Sequence, residues 1–201
     1  NPVTCGSIEH KMGIKASATA VLNFDKAKGY LIGPENKGLN CMFTFMNTAR
    51  IGTAIQGLTA AELAFQGGLS YAKDRLAMRA LSGAKAPEQV ADPIIVHPAV
   101  RNMVLTCKAF AEGGRALVYY LSQFSDVVTK GEGESQAYAD QMLSFLTPIA
   151  KAFLTETGYE AANHGLQVYG GHGFIREWGM EQNVRDTRIA CLYEGTTEIQ
   201  S

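Results

Sequence analysis

The chain has 201 residues, 46% of them apolar and 18% charged, with a formal net charge of −1. That length can bury the core of one domain or a little more, and the composition is that of an ordinary globular protein. The balanced charge gives no electrostatic footprint for nucleic acid or an anionic membrane, and no run of about eighteen apolar residues marks a membrane span. The four cysteines, at positions 5, 41, 107 and 191, lie too far apart for a zinc site or a dense disulfide framework. They are expected to be reduced, buried small hydrophobes. The chain opens on Asn1-Pro2 without a basic or apolar leader, and both this start and the end at Ser201 read as cuts in a longer protein.

Residues 1 to about 40 are rich in Gly, Lys, Asn and Thr. From Ser17 to Phe24 the residues alternate, with Ala18, Ala20, Leu22 and Phe24 on one side and Thr19, Val21 and Asn23 on the other. This is the two-residue period of a half-buried strand, and two or three strands are expected here. Gly33-Pro34-Glu35-Asn36-Lys37-Gly38 is turn chemistry and sets a boundary between residues 1–38 and 39–201. Beyond it the period changes to three and four. Phe43, Met46, Ala49, Arg50, Thr53, Ala54, Gly57, Ala60, Ala61, Ala64 and Phe65 form a stripe of mostly small residues that predicts a long helix over about 40–81.

Gly83, Pro87, Pro93 and Pro98 interrupt any helix, so a loop follows. Pro98 suits the first turn of a second helix, predicted over 98–130 from Val100, Met103, Val104, Cys107, Phe110, Ala111, Leu117, Val118 and Leu121. Gly131-Glu132-Gly133-Glu134 ends it. A third helix is predicted over 135–157, kinked at Pro148, and a fourth over 158–169, leading into Gly170-Gly171-His172-Gly173. The fold class is therefore mainly α: an antiparallel helical bundle preceded by a few strands. The heptads are not strict enough for a coiled coil.

The stretch Tyr193-Glu194-Gly195-Thr196-Thr197-Glu198-Ile199-Gln200 puts an acid in a glycine-flexed loop. Gly195 permits close backbone approach to a ligand, and the threonines supply hydroxyls suited to phosphate or polyol oxygens. On these residues alone, a solvated glutamate in an ordinary loop is the commoner reading. His10, His97, His164 and His172 lack the spacing of a metal pair, and no Gly-x-Ser-x-Gly element exists. The glycines at 170–173 do not form a Gly-x-Gly-x-x-Gly turn after a strand, so a Rossmann site is not supported.

Four segments change the balance. Tyr193 to Gln200 resembles the C-terminal signature of the acyl-CoA dehydrogenases, in which Tyr-Glu-Gly-Thr carries the catalytic carboxylate. Gln167-Val168-Tyr169-Gly170-Gly171-His172-Gly173-Phe174 resembles that family's flavin-adenine segment, with Arg185-Asp186 between the two as in the family. Lys11 to Ser17 followed by Asn23-Phe24-Asp25 resembles the last strands of its middle β-domain, which would make 1–38 the end of that domain and 39–201 the helical one.

The resemblance implies α,β-dehydrogenation of an acyl-CoA thioester to the trans-2-enoyl-CoA. Glu194 would be the base that removes the α-proton, its own amide a donor to the thioester oxygen, and FAD the hydride acceptor. It also implies that Gln167, Gly170 and Gly171 meet the ADP part of a neighbouring subunit's FAD, and that Thr196 and Glu198 reach the flavin of their own. For Gly170-Gly171 a helix C-cap is the plain alternative, and both can hold at once. Arg75 matches an arginine that meets the flavin diphosphate, although the Phe-Gly that follows it in the family is absent here, so Arg79 could serve instead. Arg50 and Gly195 fall at the acyl-CoA. The implied partners are an electron-transferring flavoprotein and further copies of the chain, as homodimer or homotetramer. The implied setting is bacterial cytoplasm or mitochondrial matrix. An acyl-CoA oxidase of the same fold and a catalytically silent oligomerisation scaffold are the rival readings. A piece holding the base and only part of the cofactor site is expected to bind FAD weakly and to be inactive alone.

Overall fold

The computed structural model describes residues 2–200, apart from the side chain of Asn47. Two strands, β1 (Val3–Ile8) and β2 (Ala20–Phe24), form an antiparallel hairpin with a register shift between Cys5 and Ser7. Three long helices follow: α1 (Gly38–Asp74), α2 (Pro98–Lys130) and α3 (Gly133–Tyr169). Two short ones, α4 (Met180–Thr187) and α5 (Thr197–Gln200), complete the described chain. The mainly α bundle expected from the periodicity is present. No described helix is long and apolar enough to cross a membrane.

The core lies among α1, α2 and α3. On α2 the buried positions are Val104, Cys107, Ala111, Gly114, Val118 and Leu121, spaced three and four apart as a single inward stripe requires. They meet Ala54, Leu58, Ala61 and Ala64 of α1, and Leu143, Ala150, Leu154 and Ala161 of α3. Small residues let the backbones approach. A Cβ built on Gly158 would lie 2.3 Å from the Gly57 carbonyl oxygen, and one on Gly57 would lie 2.0 Å from that of Leu154, so α1 and α3 touch main chain to main chain.

This crossing corrects one expectation. The predicted break at Thr157/Gly158 is absent, and 135–157 and 158–169 belong to one helix. Gly158 is a contact residue there, not a terminator. Pro148 does not divide α3 either. The carbonyl four residues before it belongs to exposed Ser144, where water can replace the lost donor.

The first helix stops at Asp74, seven residues before its predicted end at 81. From Arg75 the backbone is extended and pairs with the segment around Asp92: Ile94 N–H donates to Arg75 O at 2.9 Å, Ala77 N–H to Asp92 O at 3.0 Å, and Asp92 N–H to Met78 O at 2.9 Å. The Asp92 side chain is fully buried and organises this loop. It accepts N–H bonds from Ala80, Lys85 and Ala86 at 2.8–2.9 Å and pairs with Arg79 at 3.1 Å. The Ala80 amide, foremost among these donors, holds the carboxyl far below the usual carboxylate range.

Two further expectations change. The hairpin is not half-buried: both of its strands are exposed, with Leu22 and Phe24 at 54% and 68% accessibility. All four cysteines are free, but Cys5 is exposed and Cys41 only half-buried; Cys107 and Cys191 alone are core residues. Burial pushes the Cys107 thiol up to about 11.

The α1–α3 contact makes a paired prediction. Gly158→Ala should destabilise by about 1–3 kcal/mol, the usual range for overpacking. Gly113→Ala, on the exposed side of α2 with nothing within 4 Å of the new Cβ, should stabilise by roughly 0.5–1 kcal/mol. Urea unfolding of both variants checks the signs.

Candidate active site

The chain between α4 and α5 is a tight 3-10 turn, Arg188–Cys191, followed by the loop that carries Glu194. Ala190 and Cys191 are buried, which seats the loop on the bundle, and Cys191 Sγ meets Thr155 O of α3 at 3.5 Å. Glu194 has φ +57° and Gly195 φ +87°. For glycine this conformation is free of strain, whereas for glutamate it costs roughly 1–2 kcal/mol and requires support from its surroundings.

That support comes from side chains on both flanks. Gln200 Nε2 donates to Glu194 O at 2.8 Å, and Lys151 Nζ of α3 donates to Gly195 O at 2.5 Å. Thr197 Oγ1 donates to Glu156 at 2.6 Å, and the Tyr193 hydroxyl bonds Gln56 of α1. Among the described residues, two buried side-chain polar atoms lack any hydrogen-bond partner: Glu194 Oε2 and Arg50 Nε. Buried polar groups are ordinarily satisfied, and an orphan at a strained loop position marks a place where a ligand completes the set. Both residues act electrostatically on Lys151, so they belong to one neighbourhood. Arg50, distant in sequence, is thus brought to the neighbourhood of Glu194-Gly195.

Thr196 and Glu198 engage each other. The Glu198 carboxyl is held below its ordinary range, first by its own backbone amide and then by the Thr196 side chain.

At the C-terminal ends of α1 and α3, Arg75, Gly170 and Gly171 line a cleft of about 370 Å³ with Tyr71, Ala77, Ile94, Val168, Tyr169 and His172. Gly170 has φ +57° and ψ −134°, a combination essentially restricted to glycine, and its N–H caps α3 by donating to Gln167 O. A Cβ at Gly170 or Gly171 would meet nothing within 4 Å, so their backbones stand open to the cleft. Arg75 and Gly170-Gly171 therefore meet. Gln167 is exposed on the last turn of α3 and does not line the cleft. Neither Glu194 nor Arg50 lines it.

The two arginines differ in their surroundings. Arg79 donates to Ala86 O at 2.8 Å, to Gln89 O at 2.5 Å and to Asp92 at 3.1 Å, so its guanidinium is committed to the loop. The Arg75 guanidinium bonds no described residue and is left as the cation of the cleft.

Tyr71, Trp178 and Lys151 were not singled out from the sequence. Tyr71 stacks on Tyr169 with ring centroids 4.1 Å apart, His172 stacks on Trp178 at 4.6 Å, and Tyr71 OH meets His172 Nδ1 at 2.9 Å, forming an aromatic wall beside Arg75. Lys151, fully buried, left its signal in the pattern: a lysine in the inward register with Thr147, Ala150 and Leu154. Arg185 and Asp186 serve as a joint. Arg185 pairs with Glu181 at 2.5 Å and donates to Met12 O at 3.0 Å, while Asp186 accepts the Ile14 N–H at 2.6 Å, tying the N-terminal segment to α4. The described residues contain no cluster of three or more metal-ligating side chains.

Residues 36–201 match the model of the acyl-CoA dehydrogenase C-terminal domain. Over its whole length the chain is 47% identical to the 3-methylmercaptopropionyl-CoA dehydrogenase of Ruegeria pomeroyi and 35% identical to a broad-specificity linear acyl-CoA dehydrogenase of Mycobacterium tuberculosis, covering 34% of each. Its fold matches an acyl-CoA dehydrogenase of Bacillus anthracis, solved in complex with FAD, with a TM-score of 0.82 and 27% identity over 99% of this chain and 34% of that one. The chain thus spans about a third of the length of the curated relatives it matches. With its three-helix bundle, its glycine-capped third helix and a family match over residues 36–201, this chain belongs to the acyl-CoA dehydrogenase family.

Proposed function

We propose that this chain is the C-terminal part of a flavin-dependent acyl-CoA dehydrogenase in which Glu194 is the catalytic base. The observation that carries this is the buried, unpartnered Oε2 of Glu194, on a loop held in a left-handed conformation beside an equally unpartnered Arg50 Nε. An α-proton of a thioester is weakly acidic, so its removal needs a carboxylate withdrawn from water and a donor for the oxygen on which negative charge develops. Glu194 Oε2 meets the first need and takes the α-proton. The Glu194 N–H, which no described carbonyl accepts, is placed to meet the second.

The residues present fit FAD. Gly170 and Gly171 leave an open backbone surface, and Arg75 adds an unpaired guanidinium suited to bidentate contact with a diphosphate. Thr196 and Glu198 are assigned to the flavin of their own subunit. When bound, FAD would supply the two-electron oxidant that accepts hydride from the β-carbon as the base takes the α-proton. The Arg75 cleft does not include Glu194, which supports a cofactor held across two copies of the chain, as homodimer or homotetramer. Residues 1–38 are assigned to the end of a β-domain whose remainder covers the exposed apolar hairpin, since a two-stranded hairpin alone is marginally stable. Electron-transferring flavoprotein is assigned as the acceptor, in a cytoplasmic setting.

Two outcomes follow for the full-length protein. Glu194→Gln, which keeps shape but removes the basic oxygen pair, should retain flavin and acyl-CoA binding while substrate-induced bleaching of the flavin slows by roughly 10²–10⁴-fold. Stopped-flow absorbance measures this, and near-normal bleaching would place the base elsewhere. Arg75→Ala should weaken FAD binding by roughly ten- to a hundredfold, the worth of a lost charge-assisted contact, whereas Arg79→Ala should loosen the 77–92 loop with less effect on FAD. Calorimetric titration of the apoproteins with FAD separates the two arginines.

A further inference from the structure

We propose that Lys151 is a positioning residue for the base: its buried side chain holds the Gly195 carbonyl and fixes the loop in the geometry that presents Glu194. The proposal rests on the assignment of Glu194 as base.

Lys151 is fully buried at the middle of α3, on the stripe that packs against α1 and the loop. An ammonium removed from water is unfavourable unless hydrogen-bonded and matched by opposite charge, so its retention there needs a reason. The hydrogen bond goes to Gly195 O at 2.5 Å. Together with the bond from Gln200 Nε2 to Glu194 O, it grips two successive carbonyls of the left-handed pair Glu194-Gly195, which over-determines a conformation that a glutamate would otherwise leave.

The charged and titratable groups facing Lys151 are Cys191 and Glu194 from the chain after α4, Glu156 from α3 and Arg50 from α1. Burial, the largest influence, lowers the ammonium's pKa, while Cys191, Glu156 and Glu194 oppose this and Arg50 reinforces it. Cys191 is buried and its thiol is pushed up, chiefly by that burial, so it contributes no thiolate at neutral pH. Glu156 is exposed and accepts the Thr197 hydroxyl at 2.6 Å. Of the two carboxylates Glu156 has the larger influence, while Glu194 is the one whose loop Lys151 holds. One oxygen of that carboxylate, Oε2, bonds nothing in the chain and stays available to a substrate proton.

The test uses the full-length flavoprotein and three variants. Lys151→Gln keeps a donor and loses the charge, Lys151→Met loses both, and Lys151→Arg keeps both. In Lys151→Gln the donor sits one bond nearer the backbone, so the bond to Gly195 O should be lost and kcat should fall, whereas Lys151→Arg can still reach that carbonyl. kcat should fall roughly a hundredfold in Lys151→Met with KM for acyl-CoA changed less than about threefold, and should recover in Lys151→Arg. Amide hydrogen exchange of the 193–197 segment should rise in Lys151→Met, a readout independent of turnover. A kcat and a 193–197 exchange rate both unchanged in Lys151→Gln would overturn the proposal, and this variant decides the matter even where Lys151→Met does not fold. A wild-type protein that turns over acyl-CoA and loses activity in Glu194→Gln, yet gives that result with Lys151→Gln, would remove Lys151 and leave the base assignment standing.

Discussion

The main-chain contact between α1 and α3 at Gly57 and Gly158 is the constraint on which the rest of the structure depends. Two helices this close cannot rotate about their axes without clashing, so the contact fixes which residues of α3 point inward. It thereby seats Lys151, seven residues N-terminal to Gly158, under the Glu194 loop, and Gly165 and Val168, seven and ten residues beyond, against the middle and end of α1. Both sites, the Glu194 loop over mid-α3 and the cleft at the C-terminal ends of α1 and α3, take their geometry from this one crossing. A side chain larger than hydrogen at either glycine would displace both.

The two sites differ in construction. At the Glu194 loop, over the middle of α3, two polar atoms are buried and unpartnered, with a strained backbone held by bonds to its carbonyls. Such an environment is unfavourable for an empty protein and suits one that offers the free carboxylate oxygen to a ligand. At the Arg75 end the arrangement is open. Glycines replace side chains, the cation is exposed, and aromatic rings form one wall, which suits a large anionic ligand arriving from outside the chain. Asp92 makes this possible indirectly. By engaging Arg79 and three amides of the 80–86 segment, it folds the loop away and leaves Arg75 without an internal partner.

The bundle was legible in the sequence because apolar spacing reports burial directly: the α2 stripe Val104, Cys107, Ala111, Val118, Leu121 is buried in the protein as its period requires. What periodicity could not convey was the role of exceptions. Gly158 looks like a helix end because glycine is a poor helix former, yet α1 gives it a tertiary reason to stay helical. The overlong estimate of α1 has the opposite cause, since nothing local to Arg75 announces that Asp92, seventeen residues later, will capture the chain. The hairpin's alternation signalled a face to be buried, and that face is exposed among the described residues. For the site, Glu194 and the Gly170-Gly171 pair were visible as motifs, whereas Lys151 and the Tyr71, Tyr169, His172, Trp178 wall depend on juxtapositions about a hundred residues apart or on reading one lysine against the period of its helix.

The central claim is that Glu194 takes the α-proton of an acyl-CoA within a site completed by a second copy of the chain. A crystal structure of the full-length protein with FAD and an acyl-CoA tests it most directly. The Glu194 carboxylate is predicted about 3–3.5 Å from the substrate α-carbon, the separation of a reactive pair, with the Arg75 guanidinium on the diphosphate of the neighbouring subunit's FAD. A carboxylate turned away from the α-carbon, with another basic group in its place, would contradict it.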